Sequence, residues 1–185
     1  MPIDKKTGLG TYRRLAIGPG VDLSGKTLKN ADLQYANLEG ANLQGAFLVG
    51  ANLSNARLYG ANLEGANLEG ANLSESRLTR ANLSSASLSG INGWGLYLPR
   101  ADLSGADLSV AKMYGSYLDE ANLEGANLEG AILWDAGTGV GAHLKYANLF
   151  LANFRDTEYP HMADFDGAYM DPSLKKYLIS RGVVF

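Results

Sequence analysis

The residues best suited to catalysis or to metal binding are scarce in this chain of 185 residues. It contains no cysteine, which rules out a thiol nucleophile, a thiolate metal site and a disulfide framework. The two histidines, His143 and His161, lack a spacing that would predict shared metal ligation. Carboxylates are numerous, but they follow a five-residue interval that is typical of a solvated surface rather than of a tuned acid–base pair. The sequence therefore predicts a protein that is not an enzyme and that has no cofactor.

Aromatic and basic side chains offer a different chemistry, the binding of another molecule. Trp94, Tyr114 and Trp134 are spaced twenty residues apart. The same interval separates the members of a second series, Arg57, Arg77, Tyr97 and Tyr117. Trp, Tyr and Arg are the side chains in which the binding energy of protein interfaces is concentrated. Whether these residues share one surface depends on the elements that position them.

The chain repeats itself every five residues. Residues 61–73, for example, read ANLEGANLEGANL. Between residues 23 and 133 the centre of every repeat is leucine, except at Gly93 and Met113. A small residue, mostly alanine, lies two positions before each centre. A repeat of this kind indicates a solenoid, in which each unit packs on its neighbours.

This pattern resembles the A-(N/D)-L-x-x unit of the pentapeptide-repeat family over residues 21–172. The resemblance implies an all-β solenoid, a right-handed quadrilateral parallel β-helix in which four repeats form one square coil. The repeats suffice for about 7.5 coils. Consensus-like members of this family are common in cyanobacteria, and many have no known biochemical role.

The composition of the repeat agrees with a narrow square coil. Two residues of each repeat can point inward, and little space is available, so one must be large and the other small. Ile91 and Leu96 replace the usual small residues around Gly93, which we interpret as core volume that is moved rather than lost; a local pocket is the alternative. The predicted core comprises Gly93, Met113 and the leucines at the centres, among them Leu43, Leu63, Leu68, Leu83, Leu103 and Leu123.

Four repeats per coil place residues that are twenty apart directly above one another. We number the walls of the coil from the one that holds Leu23. The aromatic series then lies on wall three, and the Arg–Tyr series lies across the next corner, on wall four. The predicted partner surface consists of Trp94, Tyr97, Tyr114, Tyr117, Trp134, Arg57, Arg77, Arg80 and Arg100. The alternative is a stacking ladder that only stabilises a sheet face.

Three regions are expected along the chain: an N-terminal cap segment (residues 1–20), the β-helix (21–172) and a C-terminal helix with its tail (173–185). Asp171 suits the N-cap of a capping helix, Pro172 its first position and Gly182 its end. The register of the repeat shifts by one residue twice. The extra residues are predicted within GTGVG (137–141) and TEYPH (157–161), both on wall four.

Two functions from different classes follow from these observations. The first is a non-catalytic scaffold that binds a protein partner through the aromatic and arginine side chains. The second is implied by the resemblance: family members that protect DNA gyrase from quinolones look like acidic rods joined by C-terminal helices, so this chain could be a DNA mimic and a homodimer. Walls one and two are rich in carboxylates. Nucleic-acid binding is disfavoured by the pI of about 5.4, and we expect a cytoplasmic protein with no membrane segment.

Overall fold

The computed structural model of this protein describes residues 10–12, 15–133, 136, 142–154, 160 and 163–185. Within them the chain winds as a right-handed quadrilateral β-helix. Parallel bridges join residues twenty apart, such as Asp22 with Asn42 and Asn42 with Asn62, so one coil contains four repeats. The predicted architecture is therefore confirmed.

Each wall contributes one bridging residue per coil, the residue immediately before the centre of the repeat. On wall one the Leu63 N–H donates to the Asn82 carbonyl at 2.6 Å, and the Asn82 N–H donates to the Ala61 carbonyl at 2.9 Å. The coils in the interior of the stack thus pair their backbones with the coil above and the coil below. This continuous pairing makes the β-helix a rigid support for the side chains on its walls.

The corners are four-residue turns. The Ala66 N–H donates to the Leu63 carbonyl at 2.9 Å, and the intervening Gly65 has a φ of 60°. A positive φ at the third turn residue is required in type II turns and favours glycine. Tyr35 and Glu75 adopt the same conformation, with φ of 61° and 55°, because the pairing of adjacent coils dictates the backbone there.

Leucine and alanine fill the interior of the coil. All the core residues named above are buried. At Gly93 a Cβ atom would lie 3.2 Å from Leu96 Cδ2 and 3.5 Å from Met113 Cγ. Ile91 and Leu96 are themselves buried. The space that a leucine would occupy at position 93 is thus taken by neighbouring side chains, in agreement with a displaced rather than a reduced core volume.

Asparagine ladders run along the outside of the walls. On wall one the Asn82 Nδ2 donates to Asn62 Oδ1 at 3.3 Å, and the same oxygen accepts the Glu64 N–H at 3.2 Å. On wall three Asn72 Nδ2 donates to Asn52 Oδ1 at 3.3 Å. These side chains link coil to coil and also satisfy the N–H groups that open each corner.

Beyond residue 120 the bridges join residues twenty-one apart, as in Asn122 with His143 and His143 with Asp164. Each of these coils therefore contains one residue more than the coils before it. The predicted positions of the extra residues, 137–141 and 157–161, lie outside the described residues apart from Pro160.

Two short elements flank the coils. At the N-terminal end, strands β1 (Gly10–Tyr12) and β2 (Leu15–Ile17) form an antiparallel pair, and Ile17 is buried with the core. At the C-terminal end, helix α1 (Pro172–Ser180) buries Leu174 and Leu178. The prediction of a C-terminal helix is confirmed, and the helix begins at Pro172, the residue expected at its first position.

Side-chain and backbone caps define both ends of α1. The Asp171 carboxylate accepts the N–H groups of Ser173 (2.9 Å) and Leu174 (3.1 Å), and these bonds, with that from Leu174 foremost, lower its pKa. At the other end the Val183 N–H donates to the Leu178 carbonyl at 3.1 Å, next to Gly182 with a φ of 88°. This is the Schellman arrangement, and it turns Val183 back into the core.

Candidate interaction surface

The Arg–Tyr series forms one column on wall four. Parallel bridges join Arg57 to Arg77, Arg77 to Tyr97 and Tyr97 to Tyr117. All four side chains are exposed. The rings of Tyr97 and Tyr117 are 5.3 Å apart between centroids and are tilted by 55°. The structure therefore brings these four residues together along a single line.

The aromatic series lies on wall three, across the corner from that column. Trp94 is 56% exposed, and Tyr114 is partly buried. The Gly95 N–H donates to the Tyr114 carbonyl at 2.8 Å, which sets Tyr114 one coil above the Trp94–Gly95 segment. Trp134, the third member of the series, lies outside the described residues.

Glycine separates the two aromatic columns at the corner. Gly95 and Gly115 both have φ near 60°, and a Cβ atom built on Gly115 would meet nothing within 4 Å. An open groove of about 660 Å³ lies along this corner, with Gly95 in its lining. Its lining residues are Tyr35, Asn55, Arg57, Glu75, Arg77, Gly95, Tyr97 and Tyr117.

Half of these lining residues were not part of the surface predicted from the sequence. Tyr35, Asn55, Glu75 and Gly95 occupy the second position after the centre on wall three, at intervals of twenty residues. That position lies between the two columns that the sequence singled out. The signal was therefore present, but it consists of mixed residue types and does not stand out as a row.

The four predicted arginines differ in their partners. Arg57 Nε lies 3.1 Å from the Glu39 carboxylate, and Arg80 donates to the Tyr59 hydroxyl at 3.1 Å. Within the described part of the chain, the Arg77 side chain makes no hydrogen bond and no ion pair. The guanidinium of Arg77 in the groove is thus not held in an ion pair within these residues.

Arg100 is held by an ion pair on the next corner, between walls four and one. Its Nε and Nη2 atoms donate to the two Glu120 oxygens at 2.8 and 2.9 Å. These hydrogen bonds lower the pKa of Glu120 and raise that of Arg100. Arg80 and Arg100 do not line the groove, so the predicted surface is divided between two corners.

Walls one and two have a different surface. Exposed or partly exposed carboxylates recur there, at Glu64, Glu69, Asp102, Asp107, Glu124, Glu129, Asp164 and Asp166. Lys145 lies 3.5 Å from Asp164 and 3.6 Å from Asp166, and these charges, that of Asp164 foremost, raise its pKa. The acidic walls meet at the corner diagonally opposite the groove.

Other candidate sites carry less chemistry. His143 is exposed, whereas His161 lies outside the described residues, and the described residues contain no group of three metal-ligating side chains. At the C-terminal end an opening of about 500 Å³ lies between the last coil and α1, beside Leu151, Phe154 and Tyr177. In the same described residues, no helix has the length and hydropathy to cross a membrane.

The fold and the repeat identify the class of protein. The sequence profile of pentapeptide repeats matches in eight copies, over residues 20–48, 36–75, 56–92, 76–115 and 97–135. These matches cover more than half of the chain, and the chain belongs to the pentapeptide-repeat family. A search of curated proteins found no sequence match.

Solved structures with similar chains include other pentapeptide-repeat proteins. QnrB1, a plasmid-mediated fluoroquinolone resistance protein, is 19% identical over 90% of this chain and 86% of its own, with a TM-score of 0.43. HetL, involved in heterocyst differentiation regulation in the cyanobacterium Nostoc sp. strain PCC 7120, is 27% identical over 82% and 87%, with a TM-score of 0.25. Rfr23 from the cyanobacterium Cyanothece 51142 is 31% identical over 60% and 63%, with a TM-score of 0.23.

Proposed function

We propose that this protein is a non-catalytic scaffold that binds a protein partner at the corner between walls three and four. The observation that carries this proposal is that exposed Tyr97 and Tyr117 line one open groove with Arg57 and Arg77, next to the exposed Trp94 on wall three. Large aromatic and Arg side chains dominate binding energy where they can be desolvated in a pocket.

Rigidity of the β-helix supports the same function. The side chains at the corner are fixed to a backbone that is hydrogen-bonded from coil to coil, so little ordering is needed when a partner binds. A stacking ladder alone would not require the groove beside Tyr97 and Tyr117, nor an arginine, Arg77, that makes no ion pair within the described residues. These two features favour binding over a purely stabilising role.

Affinity capture with the full chain tests the proposal. The intact protein, the double variant Trp94→Ala/Tyr117→Ala and the control Phe47→Ala would each be used as bait in an extract of the native organism. Phe47 is 52% exposed and lies on wall two, so it matches the exposure of Trp94 but not its location. We expect at least one partner to be retained by the intact protein and the control and reduced tenfold or more with the double variant. If every captured partner binds the double variant as well as the intact protein, this surface is not the binding site.

A DNA mimic that modulates an enzyme such as gyrase is the second candidate. The observation that favours it is the concentration of carboxylates on walls one and two. This role predicts that the purified protein inhibits gyrase supercoiling or relieves quinolone inhibition at micromolar concentration. An absence of both effects would remove the candidate and leave the scaffold unaffected.

Dimerisation and location also stay predictions. A homodimer through α1 would use what that end of the chain exposes, chiefly Ile179 and Val184, since Leu174 and Leu178 already pack on the last coil. The sedimentation coefficient of the purified protein would test it. A cytoplasmic location is the expectation for a chain without cysteine.

A further inference from the structure

The groove at the corner between walls three and four has the dimensions of a short peptide. Its volume of about 660 Å³ falls within the range of natural ligand sites. From Arg57 to Tyr117 the lining spans three coil-to-coil steps, or ~14 Å at ~4.8 Å each. An extended chain advances ~3.3 Å per residue, so the groove accommodates about four residues.

The charges in the groove favour an anionic group. Its lining contains two arginines and one carboxylate, Glu75. Arg57 is already paired with Glu39, whereas Arg77, within the described residues, has no such partner. A guanidinium binds a carboxylate through two parallel hydrogen bonds, and such charge-assisted bonds are the strong ones. Arg77 is therefore the side chain that a carboxylate on the ligand would bind.

The other end of the groove favours a flat apolar group. Tyr97 and Tyr117 are 40% and 50% exposed, and their rings lie side by side along the column. Gly95 beside them has no side chain to obstruct the corner. An aromatic ring can pack there in an offset or edge-to-face arrangement.

The same side chains fit a nucleic acid less well. Single-stranded nucleic acids bind grooves that are positively charged along their length. Here Glu75 lies in the groove among the arginines, and the protein has a net charge of −3. A peptide differs because its backbone N–H groups can donate to the Glu75 carboxylate.

We propose that this groove binds an extended peptide segment in which an Asp or Glu is adjacent, or nearly adjacent, to an aromatic residue. The carboxylate binds Arg77, and the aromatic ring packs on Tyr97 and Tyr117. This inference rests on the proposed function and specifies the chemistry of the partner segment.

Selection from a random dodecapeptide phage library against the full chain tests the proposal. We expect enriched peptides that carry Asp or Glu within two residues of Phe, Tyr or Trp. Synthetic copies with a fluorescent label would then be titrated and followed by anisotropy. The affinity should fall at least tenfold in Arg77→Gln and in Tyr117→Ala, and less in Arg77→Lys, which keeps the charge but loses the planar fork.

Controls separate the groove from the rest of the surface. Lys26→Gln removes an exposed positive charge elsewhere and Phe47→Ala an exposed ring on wall two, and both should leave the affinity unchanged. Unaltered melting temperatures would show that Arg77→Gln and Tyr117→Ala still fold. A labelled oligodeoxythymidine of twelve nucleotides serves as the competing probe.

Several outcomes would overturn the inference: no enrichment, enrichment of basic peptides, equal binding by Arg77→Gln, or binding of the oligonucleotide where acidic peptides do not bind. These results are distinct from a failure of the proposed function. If captured protein partners still require Trp94 and Tyr117 while peptide binding does not depend on Arg77, the proposed scaffold function is retained. The proposal that the partner segment is acidic and aromatic is then wrong.

Discussion

Walls one and two of the β-helix differ from walls three and four on the outside, whereas inside the same leucine and alanine pattern fills all four, with exceptions such as Gly93 and Met113 on wall three. Leu63 on wall one and Leu53 on wall three are equally buried, and the alanines beside them are buried too. Outside, carboxylates and amides cover walls one and two, whereas aromatic and arginine side chains flank the corner between walls three and four. The comparison shows that the interior sets the fold, and that the exterior is free to differ from wall to wall.

This separation follows from the geometry of the repeat. Only the centre and the small residue two positions before it face the core, and both are restricted by the narrow coil. The outward positions meet solvent and the adjacent coils, where most side chains are tolerated. Recognition can therefore be built into one corner without any change in the core.

The largest effect is expected from substitutions that test whether walls one and three are packed alike inside. Leu63→Ala on wall one and Leu53→Ala on wall three should each lower the free energy of unfolding by about 2–5 kcal/mol, because stacked coils cannot close around the cavity. Urea denaturation measures both losses, and the control Glu69→Ala on the exposed surface should stay within about 0.5 kcal/mol of the parent. If the free energy of unfolding fell less than half as much in one leucine variant as in the other, the interiors of the two walls would not be equivalent.

A smaller effect is expected at Gly93, where wall three departs from the leucine pattern inside. Gly93→Leu should destabilise the protein by about 1–3 kcal/mol, because Leu96 and Met113 already occupy that space. Adding Leu96→Ala should relieve the overpacking, so that the double variant is more stable than the sum of the two single variants predicts. A double-mutant cycle in urea measures the coupling, and strict additivity would contradict the displaced-volume interpretation.

The smallest effect concerns the exposed ion pair at the corner between walls four and one. Since the hydrogen bonds from Arg100 lower the folded pKa of Glu120, its stabilising contribution is present above the unfolded value of about 4.3 and is lost as the pH falls through the folded pKa. Glu120→Gln should therefore lower the melting temperature slightly at neutral pH and low salt, and the difference should vanish in acid. On wall one the control Glu124→Gln removes a carboxylate that makes no ion pair within the described residues, so it should leave the melting temperature at neutral pH unchanged, and equal behaviour of the two variants would remove the distinction.

Much of the fold could be predicted because the five-residue period determines both burial and vertical neighbours. Arg57, Arg77, Tyr97 and Tyr117 were expected in one column, and bridges join them there. The helix N-cap at Asp171 was likewise readable, since an acidic residue before Pro is a local signal. The repeat period and the helix cap both belong to the backbone and depend only on the type of residue at each position. Both can therefore be recognised in the sequence.

The partners of the outward side chains were harder to predict. Arg57 pairs with Glu39, eighteen residues away, rather than with a residue directly above or below it. Arg100 does bind its vertical neighbour, Glu120, yet this pair was overlooked among many charges at similar intervals. Long side chains can reach vertical and diagonal neighbours alike, and packing and solvent decide between them. For that reason the sequence could not show that Arg77 differs from the other arginines.

Coil stacking also limits how far a partner can follow this surface. Side chains in a column recur every ~4.8 Å, whereas an extended strand returns a side chain to the same face only every ~6.6 Å. The two spacings do not match. Side chains of the strand and side chains of the column therefore lose their alignment within two or three coils. A long strand laid along the corner would thus find matching contacts only at intervals, which favours brief linear motifs over continuous strands as ligands.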